Sequence, residues 1–295
     1  MPDFQSPTLR GHAAMLLFSA LVAGSFALGA RAANLMEPAA LNAVRFLLAS
    51  VIIGALVALG PGVKRQDLKA PWRYLILGGL FAVYFVTMFE GLKTAAPVSA
   101  SAVFTLTPVL SAGFGWLLLR QATTPRMAAA LALAAGGAVW VIFRGDVDAI
   151  FAFEIGRGEM IFFIGVVAHA LYTPLIKRLN RGEKPLVFTL GMMVAGFILL
   201  SLYGAPSLMR TDFSNLPTIV WITLAYVTIF ASATTFFLLQ YAALQLKAAK
   251  VMAYTYLVPA WVIAWEIALG GPMISAAVMA GIAAVIIALL ILLFD

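Results

Sequence analysis

Ten apolar runs, each near twenty residues long, constrain this chain more than any other feature. They fall at 12–33, 38–59, 73–92, 97–119, 125–143, 158–177, 185–205, 217–240, 248–269 and 272–293. A bilayer core about 30 Å thick takes roughly 20 helical residues at 1.5 Å each, so every run is long enough to cross one. Lipid offers no partner to a backbone N–H or C=O, which leaves a spanning chain only helices or a closed barrel. The runs lack the apolar–polar alternation of barrel strands. The expected fold is an all-α integral membrane bundle of ten transmembrane helices. Composition supports this: 63% of the 295 residues are hydrophobic and 11% charged, against about 45–50% and 25% in soluble domains.

The formal charge of +7 does not point to nucleic acid, because the 19 Lys and Arg sit in small groups between the runs. There is no cysteine, hence no disulfide, thiolate nucleophile or Cys metal site. His12 and His169 are too far apart for a spaced ligand pair, so no metal is expected. Ala30-Arg31-Ala32 resembles a signal-peptidase site. The apolar run before it exceeds the usual 7–15 residues, so the first run is read as a retained helix. With the amino terminus inside, one side holds Arg10, Lys64, Arg65, Lys69, Arg73, Arg120, Arg126, Lys177, Arg178, Arg181, Lys184, Lys247 and Lys250, and the other only Arg31, Lys93, Arg144, Arg157 and Arg210. Positive residues concentrate on the cytoplasmic side, which places both termini in the cytoplasm.

The two halves of the chain resemble each other. Met15, Phe18, Val22 and Ala23 align without gaps on Met160, Phe163, Val167 and Ala168. The second and seventh runs open on Pro38 and Pro185; Phe85, Phe89 and Leu92 answer Phe237, Tyr241 and Leu244; Leu106-Thr107-Pro108 answers Leu257-Val258-Pro259. The fifth and tenth runs carry stripes of small residues, Ala128, Ala132 and Gly136, then Ala276, Ala280, Ala284 and Ala288, of the kind that lets helices approach closely. Two repeats follow, 1–148 and 149–295. Five spans is an odd number, so the halves cross the membrane in opposite senses, as in many secondary transporters with a midplane site.

Residues 38 and 45–49 (Pro, then Arg-Phe-Leu-Leu-Ala), with Gly91-Leu92-Lys93-Thr94 leading to Thr105-Leu106-Thr107-Pro108-Val109, resemble the drug/metabolite transporter superfamily in its ten-helix EamA-type branch. The resemblance covers essentially the whole chain and leans toward bacterial aromatic amino-acid exporters. It departs where relatives carry Gly-Glu after the fourth and ninth spans; here stand Arg120-Gln121 and Gly270-Gly271. The resemblance implies a secondary transporter of the bacterial inner membrane that exports small organic solutes by alternating access. Amino acids, aromatic ones included, are the first substrate class, and amphiphilic cationic drugs or another metabolite the alternative. A lipid-handling or sensor protein without solute flux is the rival from another class. Expected partners are the solute and the bilayer, with a monomeric chain and no cofactor; proton coupling is left open.

No enzyme motif of the G-x-S-x-G or H-E-x-x-H kind is present, and Gly91-Leu92-Lys93-Thr94 lacks phosphate-loop spacing. Arg45, about eight residues into its span, is costly in lipid. It either meets a substrate carboxylate or ties helix carbonyls; the second is preferred. His169 could bind solute or relay a proton. Pro174, three positions before the end of that run, must leave the carbonyl one turn earlier for another donor. Gly24, the counterpart of His169, would open space on the facing helix. The candidate substrate-binding set is His169, Tyr84, Thr87, Ser101, Thr105, Tyr172, Thr235, Tyr254 and Trp261, with Pro108 and Pro259 as hinges. Spans one to four and six to nine would enclose the pathway, with five and ten bracing it.

Overall fold

The computed structural model describes residues 7–152, 154–271 and 273–293. Among them there is no strand, and nine helices are long and apolar enough to cross a membrane: α1 Thr8–Ala32, α2 Pro38–Leu59, α3 Trp72–Gly91, α4 Pro97–Leu119, α5 Pro125–Ile142, α6 Arg157–Leu179, α7 Pro185–Arg210, α8 Thr218–Gln245 and α9 Lys250–Ala268. A shorter apolar helix, α10 Ala276–Leu292, follows. The bounds agree with the apolar runs to within a few residues, because Pro and Gly both punctuate the runs and start or stop the helices. Prolines occupy the first turn of α2, α4, α5 and α7, where the missing N–H is not needed.

The helices pack in a definite set of pairs. α3 lies along α6 and α7, α2 along α7, α1 along α8 and α9, α4 along α6 and α9, and α5 along α10. One large apolar cluster joins α1, α3, α6 and α8 through residues such as Phe18, Phe26, Phe81, Phe162 and Phe236. A second and separate cluster joins α5 and α10, with Met127, Ala130, Leu131 and Ala134 against Val285, Ala288, Leu289 and Leu292. α5 and α10 thus pack mainly on each other, beside the main core.

Their close approach uses small residues, and part of the stripe read from the sequence is among them: Ala288 is buried in the shared cluster, and a Cβ on Gly137 would come within 3.2 Å of the Ala284 Cβ. Ala128, Ala132 and Gly136 face outward, as do Ala276 and Ala280. The backbones meet at Gly137 and Gly281, where a Cβ on Gly137 would come within 2.8 Å of the Gly281 carbonyl. At Gly137 and Gly281 the contact runs one position beyond the stripe, because in a uniformly apolar helix nothing in the sequence distinguishes the two faces.

Three of the long helices are not continuous α-helix. α4 is interrupted at Thr105–Leu106, between Pro97–Phe104 and Thr107–Leu119. α9 passes through a 3-10 turn at Tyr254–Leu257 before Val258–Ala268. Pro108 and Pro259 stand in the first turn of the second segments, so both prolines mark real breaks. α8 contains a π-helix, Ile229–Thr234, which no sequence signal announced.

The carbonyls that prolines release are taken up by nearby hydroxyls. Pro108 cannot bond Phe104 O, and Thr107 Oγ1 donates to it at 2.5 Å. Pro174 cannot bond Ala170 O, and Ser111 Oγ on α4 donates to it at 3.0 Å. Leaving such a buried group bare costs about 1–3 kcal/mol. Ser111→Ala should therefore lower stability in detergent by about that amount. In a Pro174→Ala background the new N–H can serve Ala170 O, and the same substitution should cost much less. Thermal or denaturant unfolding of the four proteins of this cycle checks it, and equal costs in both backgrounds would refute it.

Candidate functional site

Where α1, α3, α6 and α8 meet, their side chains enclose a small central void. Phe18, Val22 and Ser25 come from α1, Phe81, Tyr84, Phe85 and Met88 from α3, His169 from α6, and Ala231, Thr235 and Phe236 from α8. Residues three, four or seven apart share a helix face, which is why each helix contributes a consistent stripe. The free space is about 10 Å³, room for one water molecule at most. The chamber is closed in this conformation.

Its wall is aromatic. The His169 ring lies 4.6 Å from Tyr84, 5.2 Å from Phe104 and 5.3 Å from Phe81. Phe81 in turn meets Tyr172 at 4.1 Å and Phe236 at 4.3 Å. Two polar atoms break this surface without a partner of their own among the described residues, His169 Nδ1 and Ser25 Oγ, both buried. A buried polar atom without a partner is costly, so both atoms would gain from an added hydrogen-bond partner.

Arg45 stands just behind this wall, fully buried on α2. Its guanidinium lies 3.6 Å from the Phe85 ring centre. Nε donates to Ser232 Oγ at 2.5 Å and one terminal nitrogen to Ala231 O at 2.6 Å; the other reaches Asn42 Oδ1 at 3.4 Å. It has no ion-pair partner among the described residues. It thus ties one carbonyl and one hydroxyl of α8 to α2.

The candidate set divides clearly. His169, Tyr84 and Thr235 line the void. Tyr172 lies one layer out, with its hydroxyl donating to Met192 Sδ at 2.7 Å and accepting from Gln240 Nε2 at 2.9 Å. Thr87, Ser101 and Thr105 do not join them. Their hydroxyls donate to Val83 O, Val98 O and Ala102 O on their own helices, and Thr87 faces α6, where it blocks any Cβ at Gly165. Tyr254 sits near the start of α9, its hydroxyl 3.0 Å from His12 Nδ1. Trp261 is 40% exposed and lies outside the chamber. Gly24 opens no space either, since the ring of Tyr226 occupies its face. Phe18, Val22, Ser25, Phe81, Phe85, Met88 and Phe236 were absent from the candidate set. Their i, i+4, i+7 spacing was visible, but phenylalanine and valine in an apolar helix read equally well as packing.

Polar ties clamp both ends of the bundle. At one end Arg73 and Glu183 form a buried ion pair at 2.6 Å, and Arg73 also donates to Leu179 O at 2.5 Å. At the other, Arg31 pairs with Glu266 at 2.8 Å and Ser99 Oγ donates to Glu159 at 2.7 Å. Burial pushes the Glu183 carboxyl up, but the hydrogen bonds from Arg73 and from the Arg181 N–H outweigh it and hold the group below the usual carboxylate range.

A bundle of lipid-length helices around a closed, aromatic, partly polar chamber is the build of a multi-pass solute transporter. The comparisons agree. The EamA-like transporter family model matches residues 9–143 and again residues 156–294. An uncharacterized transporter of Bacillus subtilis, YyaM, is 28% identical over 261 residues, covering 88% of this chain and 85% of its own. An uncharacterized transporter of Archaeoglobus fulgidus is 26% identical over 253 residues, covering 84% and 85%. A solved crystal structure superposes with a TM-score of 0.74 at 20% identity, over 98% of this chain and 96% of the other; this likeness concerns the fold alone. The chain belongs to the EamA-like transporter family, within the drug/metabolite transporter superfamily.

A depressed carboxyl contributes stability above its unfolded value, near 4.3 for Glu, and that contribution is lost as pH falls through the lower folded value. Stability in detergent should therefore hold from neutral pH down to about 4.3 and drop below it. Glu183→Gln should lower stability at neutral pH and flatten the acid drop, since breaking a buried pair costs about 3–5 kcal/mol. An acid drop of unchanged size in the variant would contradict this.

Proposed function

We propose that the protein is a secondary transporter that exports small organic solutes, amino acids first and aromatic ones among them, by alternating access. In this reading residues 1–148 and 149–295 are two inverted five-helix repeats. The chain sits in the bacterial inner membrane as a monomer with both termini in the cytoplasm, and the clamped, closed chamber is an occluded stage of the cycle.

The observation that carries the reading is the pairing of helices. Exchange each helix with the one five places along, and the pairs map onto one another: α3–α6 becomes α8–α1, α4–α6 becomes α9–α1, and α2–α7, α4–α9 and α5–α10 return to themselves. Two similar halves facing each other account for this pattern, and the family model's match to two segments supports it. A site between such halves can open to either side when they rock.

The chamber's chemistry favours amino acids over amphiphilic cations. Its aromatic wall suits a flat or apolar side chain, and His169 and Ser25 offer unpaired polar atoms. Among the described residues no carboxylate lines it, and the Arg45 charge lies behind the Phe85 ring, so a guest with positive charge alone would meet no counter-charge, whereas an amino acid brings its own carboxylate. The gradient that drives export, a proton gradient included, needs no further domain or cofactor.

The test is flux of labelled phenylalanine in proteoliposomes, with unlabelled amino acids and cationic drugs as competitors, with and without a pH gradient. Amino acids should compete and cations should not, and His169→Gln should cut the initial rate by about tenfold, or about 1.4 kcal/mol. Competition by cations alone would overturn the substrate class. No solute crossing faster than in empty liposomes would overturn export and favour a lipid-handling or sensing role.

A further inference from the structure

The π-helix in α8 has a consequence for how the chamber opens. Thr235 N–H reaches back five residues to Phe230 O, and Thr234 Oγ1 donates to Ile229 O at 2.9 Å. A π turn inside an α-helix takes up one extra residue, and such turns concentrate at functional sites. Every residue after it therefore stands where its predecessor would stand in unbroken α-helix. Rewinding Ile229–Thr234 to α would put Thr235 in the place of Phe236, through a rotation of about 100° and an advance of about 1.5 Å.

Both residues line the central void, and the Phe236 ring is one of those that close it. Its centre lies 4.3 Å from Phe81 and 5.7 Å from each of Phe85 and Phe46. Rewinding would replace a phenyl ring by a small hydroxyl side chain at that wall. The chamber would gain both volume and a polar group with little tilt of any helix.

Arg45 bonds directly to the π segment. The two atoms it bonds most closely, Ser232 Oγ and Ala231 O, both lie inside the π segment. A buried guanidinium without a carboxylate partner is expensive to keep in lipid, and these bonds are what it gains there. Sequence position adds a second point. Arg45 stands seven residues after Pro38, and Met192 seven after Pro185; α3, the counterpart of α8, is continuous α-helix from Trp72 to Gly91. The half that meets Arg45 has the π turn, and the half that meets Met192 does not.

We propose that Arg45 is a positioning residue that keeps α8 in π winding, and that releasing its hold lets α8 rewind, moving Phe236 out and Thr235 in to open the chamber. The proposal rests on the reading that the void is the solute's path. The test does not use transport. The chain has no cysteine, so introduced pairs report winding directly. Phe81→Cys with Phe236→Cys cross-links in π winding, and Phe81→Cys with Thr235→Cys in α winding. Oxidative cross-linking in liposomes is compared between Arg45 and Arg45→Met backgrounds. The ratio of the second pair to the first should rise by about fivefold, or about 1 kcal/mol, in Arg45→Met, with Arg45→Lys in between. If Arg45→Met fails to fold, Ser232→Ala removes the Nε acceptor alone and should raise the ratio in the same direction. An unchanged ratio in the folded variant overturns the proposal. A risen ratio in a protein that moves no solute would sink only the export reading, and a fixed ratio in a working exporter only the role of Arg45.

Discussion

Every backbone polar group in a membrane-spanning segment needs a partner inside the protein, and that requirement organises this structure. Where the helices are regular, the backbone meets it alone. Where they are not, a side chain steps in: Thr107 serves Phe104 O, Ser111 serves Ala170 O, and Arg45 serves Ala231 O. The first two offset a proline and the third a π turn. Irregular backbone at membrane depth is tolerated where protein covers it or where it lines a cavity. The π turn of α8 does border the central chamber, and Pro174 lies one turn beyond His169.

Much of the fold was legible in the sequence because lipid solvent imposes a length rule. Runs of about twenty apolar residues cut by Pro and Gly translate almost directly into α1–α10. Faces were harder to read. In a helix that is apolar all round, the hydrophobic pattern carries little orientation, and the small-residue contact between α5 and α10 runs one position beyond the stripe at Gly137 and Gly281 while keeping to it at Ala284 and Ala288. Tertiary partners were invisible for the same reason: nothing about Gly24 reveals that Tyr226 covers it.

The site was legible only in part, for a chemical reason. His169 and Tyr84 stand out because ionisable and phenolic groups are costly in hydrocarbon and must face something. Thr87, Ser101 and Thr105 looked alike from sequence, but a helical hydroxyl can satisfy itself on the carbonyl three or four residues back, and these do. Thr235 faces the chamber instead. Phe81, Phe85 and Phe236 form most of its wall yet resemble the other phenylalanines of the chain. Arg45 was visible as an anomaly, and its carbonyl partner could only come from the folded arrangement, since Ala231 lies on a different helix and in the other half of the sequence.

The central claim is that two halves of opposite orientation enclose the chamber, and topology tests it most directly. In that account the α2–α3 loop faces the cytoplasm and the equivalent α7–α8 loop faces outward. Gln66→Cys and Ser214→Cys, placed one at a time in the cysteine-free chain, can be treated with a membrane-impermeant thiol reagent on intact cells and on opened ones. The account predicts that position 214 labels on intact cells and position 66 only after opening. Labelling of both positions from the same side would contradict it.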